Sequence, residues 1–143
     1  MTVAELMTKD LITVPPDTPV LDARQQMVKA GIRHLPVTGL GRELLGIVTD
    51  RDIRLHLPSQ ATSLSVWELN YLLTKLTVEQ VMTRSVITVG PGRPVPDAAS
   101  LMLDHKIGAL PVVDGGRLVG IVTETDMLRA FVRMTTPGAA RRA

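Results

Sequence analysis

Two short segments of this 143-residue chain carry the same oxygen-bearing side chains at the same spacing, Thr49-x-x-Asp52 and Thr123-x-x-Asp126. Each follows an apolar run that reads as a strand, Gly46-Ile47-Val48 and Gly120-Ile121-Val122. The Thr then stands at the C-terminal end of a strand. The Asp falls in the first turn of a helix, beside amide groups that have no intrahelical acceptor. A carboxylate there can accept two hydrogen bonds from a vicinal diol, and the Thr hydroxyl can donate nearby. The helix N-terminus favours a phosphate. Together these features suit a ribonucleotide. The same residues also fit a purely local task, a strand-end Thr and an Asp complementing the helix dipole. Duplication of the whole arrangement favours the ligand.

The elements that must position these residues are duplicated too. Val3–Met7–Thr8 returns as Val78–Met82–Thr83, Ile12-Thr13-Val14 as Ile87-Thr88-Val89, and Leu35-Pro36-Val37 as Leu110-Pro111-Val112, each 75 residues on. One extra residue near Glu43 reduces the offset to 74 between Asp52 and Asp126. An internal repeat fixes architecture before any single motif does. Each copy opens with a capping box, Thr2-x-x-Glu5 or Thr77-x-x-Gln80. A β-rich triplet and a Pro-rich turn follow, with Thr18 and Pro19 reading as N-cap and first helical residue. A helix over about Val20–Ala30 places Val20, Ala23, Met27 and Ala30 on one stripe and ends at Gly31. Its counterpart runs from about Val95 to His105, with Ala98, Leu101 and Met102 facing in. Hairpins join Leu35–Thr38 to Leu44–Thr49 and Leu110–Val113 to Leu118–Thr123, the second through Asp114-Gly115-Gly116-Arg117. Helices start near Asp50 and Glu124.

The expected fold class is therefore α/β: two β-α-β-β-α repeats related by pseudo-two-fold symmetry, each a small three-stranded mixed sheet with two helices. The expected boundaries are a first repeat at 1–57, a linker at 58–76, a second repeat at 77–134 and a flexible basic tail at 135–143. Within the linker, Pro58–Ser63 is turn-like and a helix spans 65–75, capped by Ser65-x-x-Glu68. Trp67 and Tyr71, the sole Trp and Tyr, lie four apart on that helix and fit either core packing or a dimer contact.

Composition narrows the function classes. Hydrophobic residues make up 45% but aromatics only 2%, so the core is aliphatic and lacks the stacking rings of a single-strand nucleic-acid platform. The absence of cysteine excludes disulfides, thiolate metal sites and Cys nucleophiles, and is compatible with a cytoplasmic location. No signal peptide opens the chain, and no apolar run approaches the roughly 20 residues of a membrane span. The net charge is +2 and the pI about 9.4; basic residues are scattered apart from Arg129, Arg133, Arg141 and Arg142. A phosphate-backbone binder needs a cluster, so nucleic acid is not the expected partner. His34, His56 and His105 lack metal-ligand spacing, and there is neither a phosphate-binding Gly-rich loop nor a Gly-x-Ser-x-Gly elbow. No catalytic residues, no metal and no required cofactor are expected.

Taken together, the duplicated Thr-x-x-Asp, the Leu-Pro-Val hairpins and the capping-box lead-ins resemble a tandem pair of cystathionine-β-synthase (CBS) domains, a Bateman module. The resemblance covers about residues 2–56 and 77–134. The segment from Leu64 to Leu73 before Thr77-Val78-Glu79-Gln80-Val81-Met82-Thr83 resembles bacterial stand-alone modules of the acetoin-utilization B type, here without the ACT domain that often follows. The resemblance implies a regulatory, energy-sensing module rather than an enzyme. It binds adenosine nucleotides (AMP, ADP, ATP) or an S-adenosyl-type ligand in clefts between the repeats, and signals to a homodimer mate or to a regulated protein whose identity the sequence does not give. Carried over, one cleft combines Met7, Ile12, Thr13, Arg33, His34, Thr123 and Asp126. The other combines Thr49, Arg51, Asp52, Met82, Ile87, Thr88, Gly108 and Ala109. Arg33-His34 against Gly108-Ala109, and Arg51 against Thr125, predict unequal clefts, with the Asp126 cleft binding more tightly or preferring longer phosphate chains. A scaffold or nucleic-acid-associated module that uses the same fold without ligand is the alternative.

Overall fold

In the computed structural model, which describes residues 1–57 and 65–137, hydrophobic stripes become helices and alternating segments become hairpins. The elements are α1 (Val3–Leu6), α2 (Val20–Ala30), β1 (His34–Thr38), β2 (Leu44–Thr49), α3 (Asp50–His56), α4 (Val66–Lys75), α5 (Val78–Val81), α6 (Val95–His105), β3 (Ala109–Asp114), β4 (Arg117–Thr123) and α7 (Glu124–Thr135). α2 buries Val20, Ala23 and Met27, the expected stripe, and stops where Gly31 turns left-handed at φ 68°. The Pro58–Ser63 stretch and the tail beyond Pro137 lie outside the described residues.

The chain packs as two compact units whose limits differ from the sequence repeats. One unit joins Met1–Leu11 to the chain from Ile87 onward; the other is Ile12–Val86. Each lead-in therefore packs within the other repeat. In the first unit, Val3 N–H donates to the Arg93 carbonyl at 2.8 Å, and Thr8 and Ile121 exchange backbone bonds at 2.9 and 3.1 Å. In the second, Val78 N–H donates to the Thr18 carbonyl at 2.8 Å, and Ile47 and Thr83 exchange bonds at 3.0 and 2.9 Å. Each unit has its own aliphatic core. Val3, Ala98, Leu110, Val112 and Val122 form one; Val20, Met27, Leu35, Val48, Ile53 and Val78 form the other.

Each hairpin is a two-stranded antiparallel sheet, β1 with β2 and β3 with β4. His34 pairs with Thr49 and Ala109 with Thr123, so the strand-entry residues lie beside the Thr of each motif. The turns absorb the change of repeat offset. Gly115 and Gly116, φ 58° and 81°, make a two-residue turn with both central residues left-handed. The first hairpin turns through a short 3-10 segment, Leu40–Arg42. The triplets expected as third strands add one parallel bridge each, Val14 to Val37 and Val89 to Val112. Pro15-Pro16 follows Val14 directly, and proline has no N–H with which to continue the ladder.

Two local expectations are corrected. The N-cap of α2 is Pro19, not Thr18, because the Thr18 hydroxyl donates to the Pro15 carbonyl at 2.8 Å and so braces the turn. Core packing of Trp67 and Tyr71 is ruled out: they are 84% and 60% exposed, and α4 buries none of its residues. Ser65 does cap α4, its hydroxyl accepting from Glu68 N–H at 3.2 Å.

Candidate ligand-binding site

Both Thr-x-x-Asp motifs sit where β2 passes into α3 and β4 into α7, and both close as capping boxes. Asp52 N–H donates to Thr49 Oγ1 at 3.0 Å, and Thr49 N–H donates to Asp52 Oδ2 at 2.9 Å. In the second copy, Thr123 N–H and Oγ1 both donate to Asp126 Oδ2, at 2.9 and 3.1 Å, and Asp126 N–H donates to Thr123 Oγ1 at 3.4 Å. The local task read as the competing explanation is thus real. It fixes one oxygen of each carboxylate against the strand end and leaves Oδ1 as the atom able to meet something else.

At Oδ1 the copies part. Asp126 is 4% exposed, and its Oδ1 lies 3.7 Å from Arg129 Nη1, one turn along α7. Asp52 is half-buried and has no cation at the i+3 position, since residue 55 is Leu. Arg54, the basic residue that follows Asp52 on α3, pairs instead with Asp50 at 3.1 Å. Sequence reading passed over Arg129, counting it with the basic C-terminal residues; its i+3 spacing from Asp126 was the available signal.

The residues expected to share clefts are distributed over both units. Met7, Thr123, Asp126, Ile87, Thr88, Gly108 and Ala109 belong to one unit. Ile12, Thr13, Arg33, His34, Thr49, Arg51, Asp52 and Met82 belong to the other. Within the second unit, Asp50 N–H donates to the Arg33 carbonyl at 3.1 Å, and His34 pairs with Thr49. The hairpin therefore brings Arg33, His34 and Arg51 to the same end as Asp52. In the first unit the equivalent bond runs from Glu124 N–H to the Gly108 carbonyl at 3.1 Å, which brings only Gly108, Ala109 and Thr125 to Asp126.

Met7 and Met82 have a packing role that sequence reading did not assign. A Cβ on Gly46 would stand 2.6 Å from Met82 Sδ and 2.7 Å from the Thr83 carbonyl oxygen. A Cβ on Gly120 would overlap Met7 Sδ. Each Met thus fills the space that a strand glycine leaves open. Among the described residues no cluster of His, Asp and Glu could hold a metal ion, and no helix is long and apolar enough to cross a membrane.

With this geometry established, the family model for the CBS domain matches residues 3–59 and 78–133. The chain belongs to the CBS-domain family. A CBS domain-containing protein of Dictyostelium discoideum is 35% identical over 136 residues, which are 94% of each chain. An uncharacterized protein of Methanocaldococcus jannaschii is 36% identical over 135 residues, 89% of this chain and 46% of that protein, so the chain spans about half the length of that relative. Among solved structures, CBSX2 in complex with AMP is 35% identical, with a TM-score of 0.79 over 94% of this chain and 98% of that one. The CBS domain pair of protein MJ0100, in complex with 5′-methylthioadenosine and S-adenosyl-L-methionine, is 32% identical, with a TM-score of 0.75 over 92% and 95%. A putative acetoin utilization protein (AcuB) from Vibrio cholerae is 30% identical, with a TM-score of 0.80 over 94% and 92%. The tandem CBS pair expected from sequence, including its likeness to the acetoin-utilization B type, is what these comparisons show.

Proposed function

We propose that the chain is a cytoplasmic, non-catalytic regulatory module that binds an adenosine-type ligand, with Asp52 and Asp126 each holding a ribose diol. The observation that carries this reading is the pair of capping boxes. In both copies the cap uses one carboxylate oxygen on the strand end and not the other, which is left to a ligand at Asp52 and is shared with Arg129 at Asp126. Similar CBS pairs hold AMP, methylthioadenosine and S-adenosylmethionine, all of which present an adenosine ribose. Ile12, Thr13, Ile87 and Thr88 are the candidates to flank the base, and Arg33, His34 and Arg51 to meet phosphate. Met7, Met82, Gly108 and Ala109 complete the set as residues lining those ends. A ligand that binds one conformation of the pair better than another shifts the population and so transmits its presence.

The output of such a module needs a partner, and a second copy of the chain fits. Leu128, Phe131 and Val132 form an outward stripe on α7, 66%, 63% and 58% exposed, opposite the buried Asp126 and Ala130. A two-fold axis through that stripe would set it against its own copy. Light scattering on wild type and Leu128→Glu tests this: a dimer that becomes a monomer supports it, and an unchanged mass refutes it.

Ligand binding is tested by thermal unfolding with AMP, ADP, ATP, S-adenosylmethionine, methylthioadenosine and 2′-deoxy-AMP. A ligand at about 100 times its dissociation constant stabilises by about 2.7 kcal/mol, several degrees for a chain of this size. The diol reading expects the deoxy analogue to lose most of that shift. A flat panel would remove ligand sensing and leave the scaffold reading.

A further inference from the structure

We infer that Arg129 occupies the free oxygen of Asp126 and so makes the two ribose-binding ends unequal, leaving the Asp52 end as the tighter one for phosphorylated adenosine. The inference rests on the diol reading above and adds which end fills first and which residue decides it.

Two observations point the same way. Asp126 has both oxygens engaged, Oδ2 by Thr123 and Oδ1 by the Arg129 guanidinium at 3.7 Å. Its side chain is 6% exposed whereas that of Arg129 is 66% exposed, so the cation is the solvent-facing partner and covers a carboxylate that has little other solvation. A diol arriving at Asp126 must displace the guanidinium or share the oxygen with it. Asp52 lacks that i+3 competitor, because Leu55 occupies the equivalent position and is 71% exposed. The donors suited to phosphate also collect at the Asp52 end. Arg33, His34 and Arg51 lie on the same unit as Asp52, whereas Asp126 shares its unit with Gly108, Ala109 and Thr125. The ranking is the reverse of the one expected from the sequence, which assigned Arg33 and His34 to Asp126 and gave Arg129 no part.

The test exchanges residues 55 and 129 and measures each end alone by calorimetry. Asp52→Asn isolates the Asp126 end, and Asp126→Asn isolates the Asp52 end. The probes are AMP and uncharged adenosine. Arg129→Leu in the Asp52→Asn background is expected to tighten both probes about two- to fivefold, the range of a partly exposed ion pair. Leu55→Arg in the Asp126→Asn background is expected to loosen both by a similar factor. In wild-type protein the Asp52 end is expected to fill first. Unchanged affinity in Arg129→Leu overturns the inference. So does weakening for AMP alone, which would make Arg129 a phosphate ligand. Failure of the diol reading itself looks different: 2′-deoxy-AMP would bind wild-type protein as tightly as AMP.

Discussion

Replacing Gly46 by Ala should cost more than a methyl group at a buried strand position normally does. The new Cβ would stand 2.7 Å from the Thr83 carbonyl oxygen, against ordinary contacts of 3.4 Å or more, so the 82–83 backbone must retreat by about 0.7 Å. That segment is held to β2 by the pair of Ile47–Thr83 hydrogen bonds at 3.0 and 2.9 Å. The same retreat stretches them to about 3.6 Å, beyond useful bonding. Two lost backbone bonds at about 1 kcal/mol each give about 2 kcal/mol, or roughly 6–8 °C in melting temperature. Gly120→Ala is the informative control. Its close contacts are all with the Met7 side chain, the next two being Cγ at 2.9 Å and Cβ at 3.2 Å. Trimming the Met should therefore rescue Gly120→Ala more fully than Gly46→Ala, where the carbonyl remains. Scanning calorimetry on two double-mutant cycles, Gly120→Ala with Met7→Ala and Gly46→Ala with Met82→Ala, reads this as coupling energy. A Gly46→Ala melt within 1 °C of wild type, or stronger coupling at the 46/82 pair, would refute the reasoning.

Asp52→Asn should separate the two tasks of that residue, since the amide oxygen still accepts from Thr49 N–H while the diol meets an NH₂ group; melting temperature is expected to hold within about 1 °C while the AMP-induced shift at that end disappears. Thr49→Val removes the hydroxyl that caps Asp52 N–H and should destabilise by about 1 kcal/mol in urea unfolding. Gly116→Ala forces a side chain onto a residue at φ 81° and should cost about 1 kcal/mol in the same assay. Trp67, the sole indole and 84% exposed, should be quenched by acrylamide nearly as freely as a model indole; strong protection would show that α4 is covered in solution.

What the sequence revealed and what it withheld divide along the range of the interactions concerned. Capping boxes, the αL stop at Gly31 and the Gly115-Gly116 turn are decided by residues within a few positions of one another, and they were legible. So was the motif pair, because the duplication exposed it. Periodicity carries no address for the lead-ins, since Met7 recurs as Met82 whether each packs on its own hairpin or on the other; only the family resemblance grouped Met7 with Asp126 and Met82 with Asp52. The extra strand was overread from Ile12-Thr13-Val14 and Ile87-Thr88-Val89, whose β propensity is genuine but whose pairing ends after one bridge. Arg129 was missed for a different reason. In composition it belongs with the arginines gathered near the C-terminus, and only the helix places it over Asp126.

The capping boxes also explain why a residue pair can persist in both copies while the surroundings diverge. Thr and Asp are held by the fold itself, since each satisfies an otherwise orphaned amide at a helix start. A ligand that uses the remaining carboxylate oxygen therefore finds it pre-positioned by bonds that exist without ligand, and little ordering is left to oppose binding. The cost of that economy is that stability and binding share a side chain, so truncation to Ala cannot tell them apart. Specificity then has to come from neighbours that the cap does not constrain: Arg33, His34 and Arg51 on one unit, Gly108, Ala109, Thr125 and Arg129 on the other. These are the positions at which the two copies differ.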